Sequence, residues 1–375
     1  MEYSYFGRAK TKVSRFGLGT MRLPSCDNHP MSPNIDKPKA IEMIRYALDN
    51  GVNYIDTAYM YHGGNSETVV GEALKDGYRE KAVLATKLPV WEAKEKGDLE
   101  KIFETQLNRL QTDYVDFYLL HSLTESNWEK VLEYDAIALL EKLKAQGRIK
   151  NICFSFHDKL PVFKKIIDAY DWDMAQIQLN IVDQEYQAGI EGMEYAADKG
   201  ISVVVMEPLQ GGNLVNIPQS VKDIYAGYSK DRTPQEWAFR FLCNFPQVTS
   251  VLSGSSSLEQ LKQSIEIFDN AKINSLSDAE IKTIDDARNE ILNLRKNNCT
   301  SCSYCVPCPQ NINIPDIFKT YNQCGVFFDE NKAKEKYKQQ EVKADKCVEC
   351  GACESVCPQH ISIIEDLKKA DELFA

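Results

Sequence analysis

The 375-residue chain has no uncharged apolar stretch near the roughly 18 residues that a membrane-spanning helix requires, so no membrane is expected. It also lacks a basic excess. Its 44 Lys and Arg stand against 55 Asp and Glu, a formal charge of −11, which argues against nucleic acid and anionic surfaces as partners. The opening MEYSYFGRAK is too polar for a secretory signal, which points to a cytoplasmic protein. No G-x-G-x-x-G follows the first strand-like run, so an open dinucleotide-binding sheet loses its usual support. Cysteine is scarce through most of the chain, where only Cys26, Cys153 and Cys243 precede residue 298. Nine more crowd into the next 59 residues. In a reducing compartment such crowding reads as metal ligation rather than disulfides. The composition therefore divides near residue 298.

Before that division, eight β-branched or aromatic runs alternate with amphipathic stretches. The runs are VSRFGLGT (13–20), VNYIDTA (52–58), AVLATKL (82–88), YVDFYLLH (114–121), IKNICFSF (149–156), MAQIQLN (174–180), ISVVVMEPL (201–209) and VTSVLSG (248–254). Between them lie helical patterns such as PKAIEMIRYALDN and DLEKIFETQLNRL, several closed by Gly51, Gly147 or Gly200. NWEKVLEYDAIALLEKLKAQG (127–147) reads as one long helix. Alternation of strand and helix implies parallel strands, and near-continuous apolar runs imply strands buried on both faces. Eight such units fit an α/β class (β/α)8 TIM barrel better than a doubly wound sheet.

In such barrels the chemistry sits at the C-terminal ends of the strands. Those ends carry Asp56 with Tyr61 just beyond it, Lys87, His121, Ser155, Gln176 and Glu207. A buried ammonium lowers the pKa of a phenol beside it, because it favours the phenolate. An adjacent carboxylate keeps that ammonium charged, and a neutral imidazole can donate to a carbonyl oxygen. Asp56, Tyr61, Lys87 and His121 are thus candidate equipment for carbonyl reduction.

The segment DTAYMYHGGNSE, from Asp56 to Glu67, resembles the aldo/keto reductase segment with that family's Asp and catalytic Tyr. ATK ending at Lys87, YVDFYLLH ending at His121, and the opening VSRFGLGTMRLP resemble its other motifs, in the same order. The resemblance covers roughly residues 1–275. It implies a TIM barrel with NAD(P)H extended across its top and a small carbonyl or alcohol substrate. It implies Tyr61, rather than nearby Tyr59, as proton donor. Lys87 would depress the Tyr61 pKa, Asp56 would pair with Lys87, and His121 would orient the substrate. Ser155 and Gln176 match positions that contact the nicotinamide carboxamide. MEPLQGG, with Met206, Pro208, Leu209 and Gly211, matches the loop over the pyrophosphate.

The sequence departs from the family at three places. Phe156 follows Ser155 where Asn is frequent, and Met206 aligns with a residue that is often aromatic. After the eighth strand, where NADPH-selective members carry Lys and Arg, stand Gly254, Ser255 and then Gln260. Amides and hydroxyls at the start of the last helix can hold a phosphate. Without a local cation, a weaker NADP preference than the family norm, or use of NAD, is expected. Trp91 and residues near Trp128 are candidate walls of the substrate pocket.

Beyond the division, SLSDAEIKTIDDARNEILNLRK reads as a helix with Ser277 and Glu280 as a capping box. CTSCSYCVPCP then places Cys299, Cys302, Cys305 and Cys308 before Pro309. CVECGACESVCP places Cys347, Cys350, Cys353 and Cys357 before Pro358. The second motif has the C-x2-C-x2-C-x3-C-P spacing of bacterial ferredoxins, and the first is one residue shorter. In two-cluster ferredoxins the fourth ligand comes from the other motif. One 4Fe–4S cluster is therefore assigned to Cys299, Cys302, Cys305 and Cys357, the other to Cys308, Cys347, Cys350 and Cys353. Zinc would want about four cysteines per site, commonly as two C-x-x-C pairs, and fits less well. Cys324 is left over as a buried thiol. This part resembles the mostly helical two-cluster ferredoxin-like modules of respiratory iron–sulfur subunits.

The expected organisation is a barrel over 1–275, a connecting helix over 276–297 and a 4Fe–4S domain over 298–375. The expected activity is hydride transfer between NAD(P)H and an aldehyde or ketone, accompanied by cluster electron transfer to a ferredoxin or another redox protein. A nicotinamide moves electrons in pairs and a cluster singly, so a flavin is an open question. The alternative is a redox-sensing or docking protein with a cofactor-binding barrel and structural clusters.

Overall fold

A computed structural model describes residues 1–6, 10–27, 29, 31–357 and 359–375. Pro358 lies outside the described residues. The chain forms two units, Met1–Gln210 with Ala238–Leu276, and Gly211–Trp237 with Ser277–Ala375. Among the described residues no helix is long and apolar enough to cross a membrane.

The first unit begins with an antiparallel hairpin, β1 (Tyr3–Phe6) and β2 (Thr11–Ser14). The barrel strands follow as β3 (Phe16–Gly19), β4 (Tyr54–Asp56), β5 (Val83–Leu88), β6 (Val115–Leu123), β7 (Ile149–Phe156), β8 (Met174–Gln178), β9 (Ser202–Met206) and β10 (Val248–Gly254). All pair in parallel, and β10 closes on β3 to complete the cylinder. Each coincides with one of the eight runs read from the sequence, so the TIM barrel expectation holds. At the closing seam Gly17 permits close approach, since a Cβ there would sit 2.7 Å from both Leu252 and Tyr54. Gly51, Gly147 and Gly200 take φ of 84°, 73° and 73° at helix ends, the left-handed conformation expected of C-caps.

Two features differ from the sequence reading. The run 13–20 is split at Arg15 into the end of the hairpin and β3. The hairpin's Phe6, fully buried, packs 4.4 Å from Phe117 and 5.8 Å from Tyr54 among inward side chains of the barrel. The stretch 127–147 is two helices, Glu125–Glu133 and Ala136–Ala145, broken where Asp135 takes φ 51°. The first buries Trp128 and Val131, the second Ala136, Leu140 and Leu143. Polar Asp135 interrupts the apolar stripe, and the break turns the second half back onto the sheet.

The second unit is helical. Asp278–Asn293 starts with the expected capping box, Glu280 N–H donating to Ser277 Oγ and Ser277 N–H to Glu280 Oε2. It packs on Gln219–Tyr228, a helix the sequence reading missed. Helices Ile314–Gln323, Glu330–Lys338 and Ile363–Phe374 enclose a separate core of Ile317, Phe318, Tyr321, Leu367 and Phe374. Tyr337 fixes two of them, donating to Asp371 at 2.5 Å and accepting from Ala344 N–H at 2.8 Å. Cys324 is buried in this core, as expected of a leftover thiol.

Candidate active site and cluster sites

The parallel barrel gathers the ends of β4, β5 and β6, and with them the four residues read from the sequence. Lys87 Nζ is almost fully buried and donates to Asp56 Oδ1 at 2.6 Å, to the Thr57 carbonyl at 2.8 Å and to Tyr61 Oη at 3.4 Å. Three acceptors match the three donors of an ammonium. Burial works against the Lys87 charge, but Asp56 and Tyr61 outweigh it and hold its pKa above the ordinary value. The ring of Tyr61 lies edge-on to His121 with centroids 6.2 Å apart. Burial, the Lys87 charge and His157 push the His121 pKa well below the usual imidazole range, so this ring is neutral at pH 7. Tyr59 faces elsewhere, under the Arg109 guanidinium at 4.4 Å.

The Tyr61 phenol differs from the simple expectation. Burial raises its pKa, Lys87 opposes that, and Asp56 adds to it, leaving the group above its ordinary value. Neutrality of the phenol is thereby secured, while the ammonium stands ready to stabilise a phenolate.

His121 is not the end of its strand, because β6 continues to Leu123. The register with β7 shifts between Leu120 and Leu123, and Ser122 takes φ 50°. Such a bulge re-aims side chains beside functional sites. Ser122 N–H then donates to Ser155 Oγ at 2.8 Å, which ties the bulge to the end of β7. Trp91 lies 5.1 Å from His121, beside the site as expected. Trp128 is instead core, buried against Trp172.

Behind Lys87 lies a polar network that the sequence reading missed. Fully buried Glu67 accepts from Thr86 Oγ1 and Gln106 Nε2, both at 2.7 Å, and from Arg109 at 3.1 Å. Gln106 Nε2 also donates to the Lys87 carbonyl at 2.9 Å, and Arg109 to the Tyr59 carbonyl at 2.9 Å. The network thus holds both the strand that carries Lys87 and the loop that carries Tyr61. Its available signal was Gln106, a lone polar residue on the buried stripe of Ile102, Phe103, Leu107 and Leu110.

Of the residues expected to hold the dinucleotide, Ser155 and Gln176 are buried at neighbouring strand ends. Gln176 Nε2 approaches Met206 Sδ at 3.5 Å, while its Oε1 is buried without a partner, as is His121 Nδ1. An orphaned amide oxygen suits a carboxamide N–H, so these residues fit a nicotinamide. Pro208 is buried and Leu209 half-buried after β9. Gly211, at φ 67°, belongs to the turn Gln210–Val215. Ser255 is buried, and Gly254 and Gln260 are exposed at the start of the helix Leu258–Asn270.

In the second unit the cysteines fall into two groups. Cys299, Cys302, Cys305 and Cys357 line one cavity. Cys308, Cys347, Cys350 and Cys353 line another of about 200 Å³, which Cys305 also borders. Each group takes three cysteines from one motif and one from the other. None of the eight forms a disulfide, and among the described residues no three His, Cys, Asp or Glu converge on a single ion. Four separated thiols around a cavity suit a cubic cluster better than one tetrahedral metal. Burial pushes Cys305 up to about 11 and raises Cys299 and Cys353.

Comparison with known proteins agrees with both halves. The aldo/keto reductase family matches residues 15–289, and a 4Fe-4S dicluster domain matches residues 298–362. An uncharacterized oxidoreductase of Bacillus subtilis, YqkF, is 28% identical over 310 residues, spanning 74% of this chain and 94% of its own. An NADH-specific methylglyoxal reductase of Escherichia coli is 28% identical over 323 residues, spanning 73% and 94%. The holo form of an aldo-keto reductase from Bacillus halodurans superposes with a TM-score of 0.64 at 26% identity, covering 76% of this chain and 96% of that one. The chain belongs to the aldo/keto reductase family of NAD(P)-dependent oxidoreductases and carries a C-terminal 4Fe-4S domain.

Proposed function

We propose that the barrel interconverts a small carbonyl compound and its alcohol, with Tyr61 as proton donor, and that two clusters in the C-terminal unit relay electrons to a redox protein. Bound NAD(P)H supplies the hydride, and the clusters supply one-electron transfer. The observation that carries the reading is Lys87 Nζ shared by Asp56, Thr57 and Tyr61. Tyr61 gives its proton to the carbonyl oxygen as the hydride arrives, and Lys87 stabilises the phenolate left behind. Neutral His121 donates to the same oxygen and fixes its direction. Ser155 and Gln176 hold the carboxamide of the nicotinamide. Cys299, Cys302, Cys305 and Cys357 would ligate one cluster, Cys308, Cys347, Cys350 and Cys353 the other.

The name of the E. coli relative makes methylglyoxal a sensible first substrate, with NADH and NADPH compared. Tyr61→Phe is expected to lower kcat by about 10² or more while the dinucleotide still binds. Undiminished turnover by Tyr61→Phe would remove the proton-donor role.

A further inference from the structure

The two cluster cavities differ at their mouths. The cavity of Cys299, Cys302, Cys305 and Cys357 is edged by Thr300, Ser301 and Ser303. The cavity of Cys308, Cys347, Cys350 and Cys353 is apolar. Buried Ile312, Ile314 and Leu367 line its inner side, and no Asp, Glu, Lys, Arg or His lines it among the described residues. Tyr304, Val348 and Val356 form its lip, 60%, 60% and 51% exposed. Among the described residues of 298–375 these are the large hydrophobic side chains that stand exposed. Cys350 lines the same cavity and is exposed, whereas the other seven ligand cysteines are only partly so.

Charges next to this lip are matched. Glu349 pairs with Lys368 at 2.7 Å, and Lys346 with Asp345 at 2.7 Å. A partner can dry such a face without stranding a charge, and drying brings the partner's own centre close to the sulfur of Cys350. Three side chains offer far less than the roughly 800 Å² per partner that a stable interface buries, so the face suits a brief encounter rather than a second copy of this chain. A brief encounter is what an electron carrier requires, because it must leave once it is reduced or oxidised.

We propose that the lip of Tyr304, Val348 and Val356 is the docking face for a one-electron carrier protein, and that electrons leave the chain through the cluster of Cys308, Cys347, Cys350 and Cys353. The inference rests on the reading of the clusters as electron relays, and adds which cluster is terminal and which side chains meet the carrier. One electron passes from the reduced cluster to the oxidised carrier; no bond forms or breaks and no proton moves. Tyr304 and Cys305 border both cavities, so the other cluster feeds this one across them.

The test uses the full-length, cluster-loaded protein as wild type, Val348→Glu, Val356→Glu and, as a charge control on the other rim, Thr300→Glu. Calorimetry measures binding of an oxidised bacterial two-cluster ferredoxin to the oxidised protein. Stopped flow follows electron exchange between the two proteins in its downhill direction, with dichlorophenolindophenol as a small acceptor for comparison. Each valine variant should weaken ferredoxin binding and slow the exchange by about tenfold or more, while iron content and the rate with the small acceptor stay within about twofold. Thr300→Glu should stay within about twofold throughout. Val348→Gln, which adds no charge, should shift binding and exchange in the same direction, so the test still decides if Val348→Glu loses iron. Unchanged binding and exchange in the valine variants, equal losses in Thr300→Glu, or no binding by wild type would overturn the proposal. So would a dimer in sedimentation that Val348→Glu dissolves, which would give the face to a second copy of this chain. Clusters that exchange electrons with ferredoxin through this face, yet are never reduced by NADH, would overturn the relay from the barrel and leave the docking face standing.

Discussion

His121 shows how one buried side chain ties the site to the stability of the protein. Its pKa lies well below 6.5 in the folded state, whereas the unfolded chain titrates near 6.5. Below that pH the unfolded state binds a proton that the folded state refuses. The stability from this group is therefore present above about pH 6.5 and is lost as pH falls toward the depressed folded value, at up to about 1.4 kcal/mol per pH unit. Urea midpoints measured from pH 7.5 to 5.5 should fall in wild type, and fall less in His121→Asn. Parallel curves would refute the assignment. The phenol behaves differently. Burial holds Tyr61 above its ordinary value, so carbonyl reduction should be insensitive to Tyr61 ionisation through neutral pH and decline only above about pH 10. A pH–rate profile with an alkaline limb near 7 would contradict this.

Strands and helices act here as rulers. Parallel register puts Asp56 beside Ala85 and Lys87 beside Leu119, so residues far apart in sequence reach one rim. The helix Lys96–Leu110 then braces the rim from outside through Gln106 and Arg109. Removing Gln106 strips one donor from the buried Glu67 carboxylate and one from the Lys87 carbonyl. Gln106→Leu should destabilise the protein by about 1–3 kcal/mol and lower kcat more than it raises KM, since it loosens the mount of Lys87 without touching substrate. Denaturation and steady-state kinetics would check both effects. The break at Asp135 shows the limit of reading elements from periodicity. Both halves of 127–147 have helical spacing, and only the change in which side chains are buried reveals two helices.

On the proposed reading the whole molecule joins pairwise and single-electron chemistry in one chain. Interleaving of the motifs makes each proposed cluster depend on both ends of the C-terminal unit. Cys308 stands in the first motif but faces the cavity lined by Cys347, Cys350 and Cys353. Cys308→Ser should therefore lower iron from about eight to about four per chain after anaerobic purification and spare the cluster of Cys299, Cys302 and Cys305. Loss of that first cluster instead would reverse the assignment. If the clusters relay electrons from the barrel reaction, NADH, or the alcohol together with the oxidised dinucleotide, should bleach their visible absorbance without a mediator.

Much of this was legible in residues alone. Strand alternation fixed the barrel because burial on both faces demands near-continuous apolar runs, and each of the eight runs became a strand. Cysteine spacing marked the 4Fe-4S domain because ligand geometry constrains short loops. The Asp56, Tyr61, Lys87 and His121 set was legible because parallel barrels present strand ends together. Tertiary structure decided what depends on distant partners. It alone brought Phe6 in among the inward side chains of the barrel, set Glu67 and Gln106 behind Lys87, and turned burial against the depression expected for Tyr61. It also gathered Tyr304, Val348 and Val356 with Cys350 at one cavity. Sequence records charge and local periodicity, whereas desolvation and convergence exist only once the chain has closed on itself.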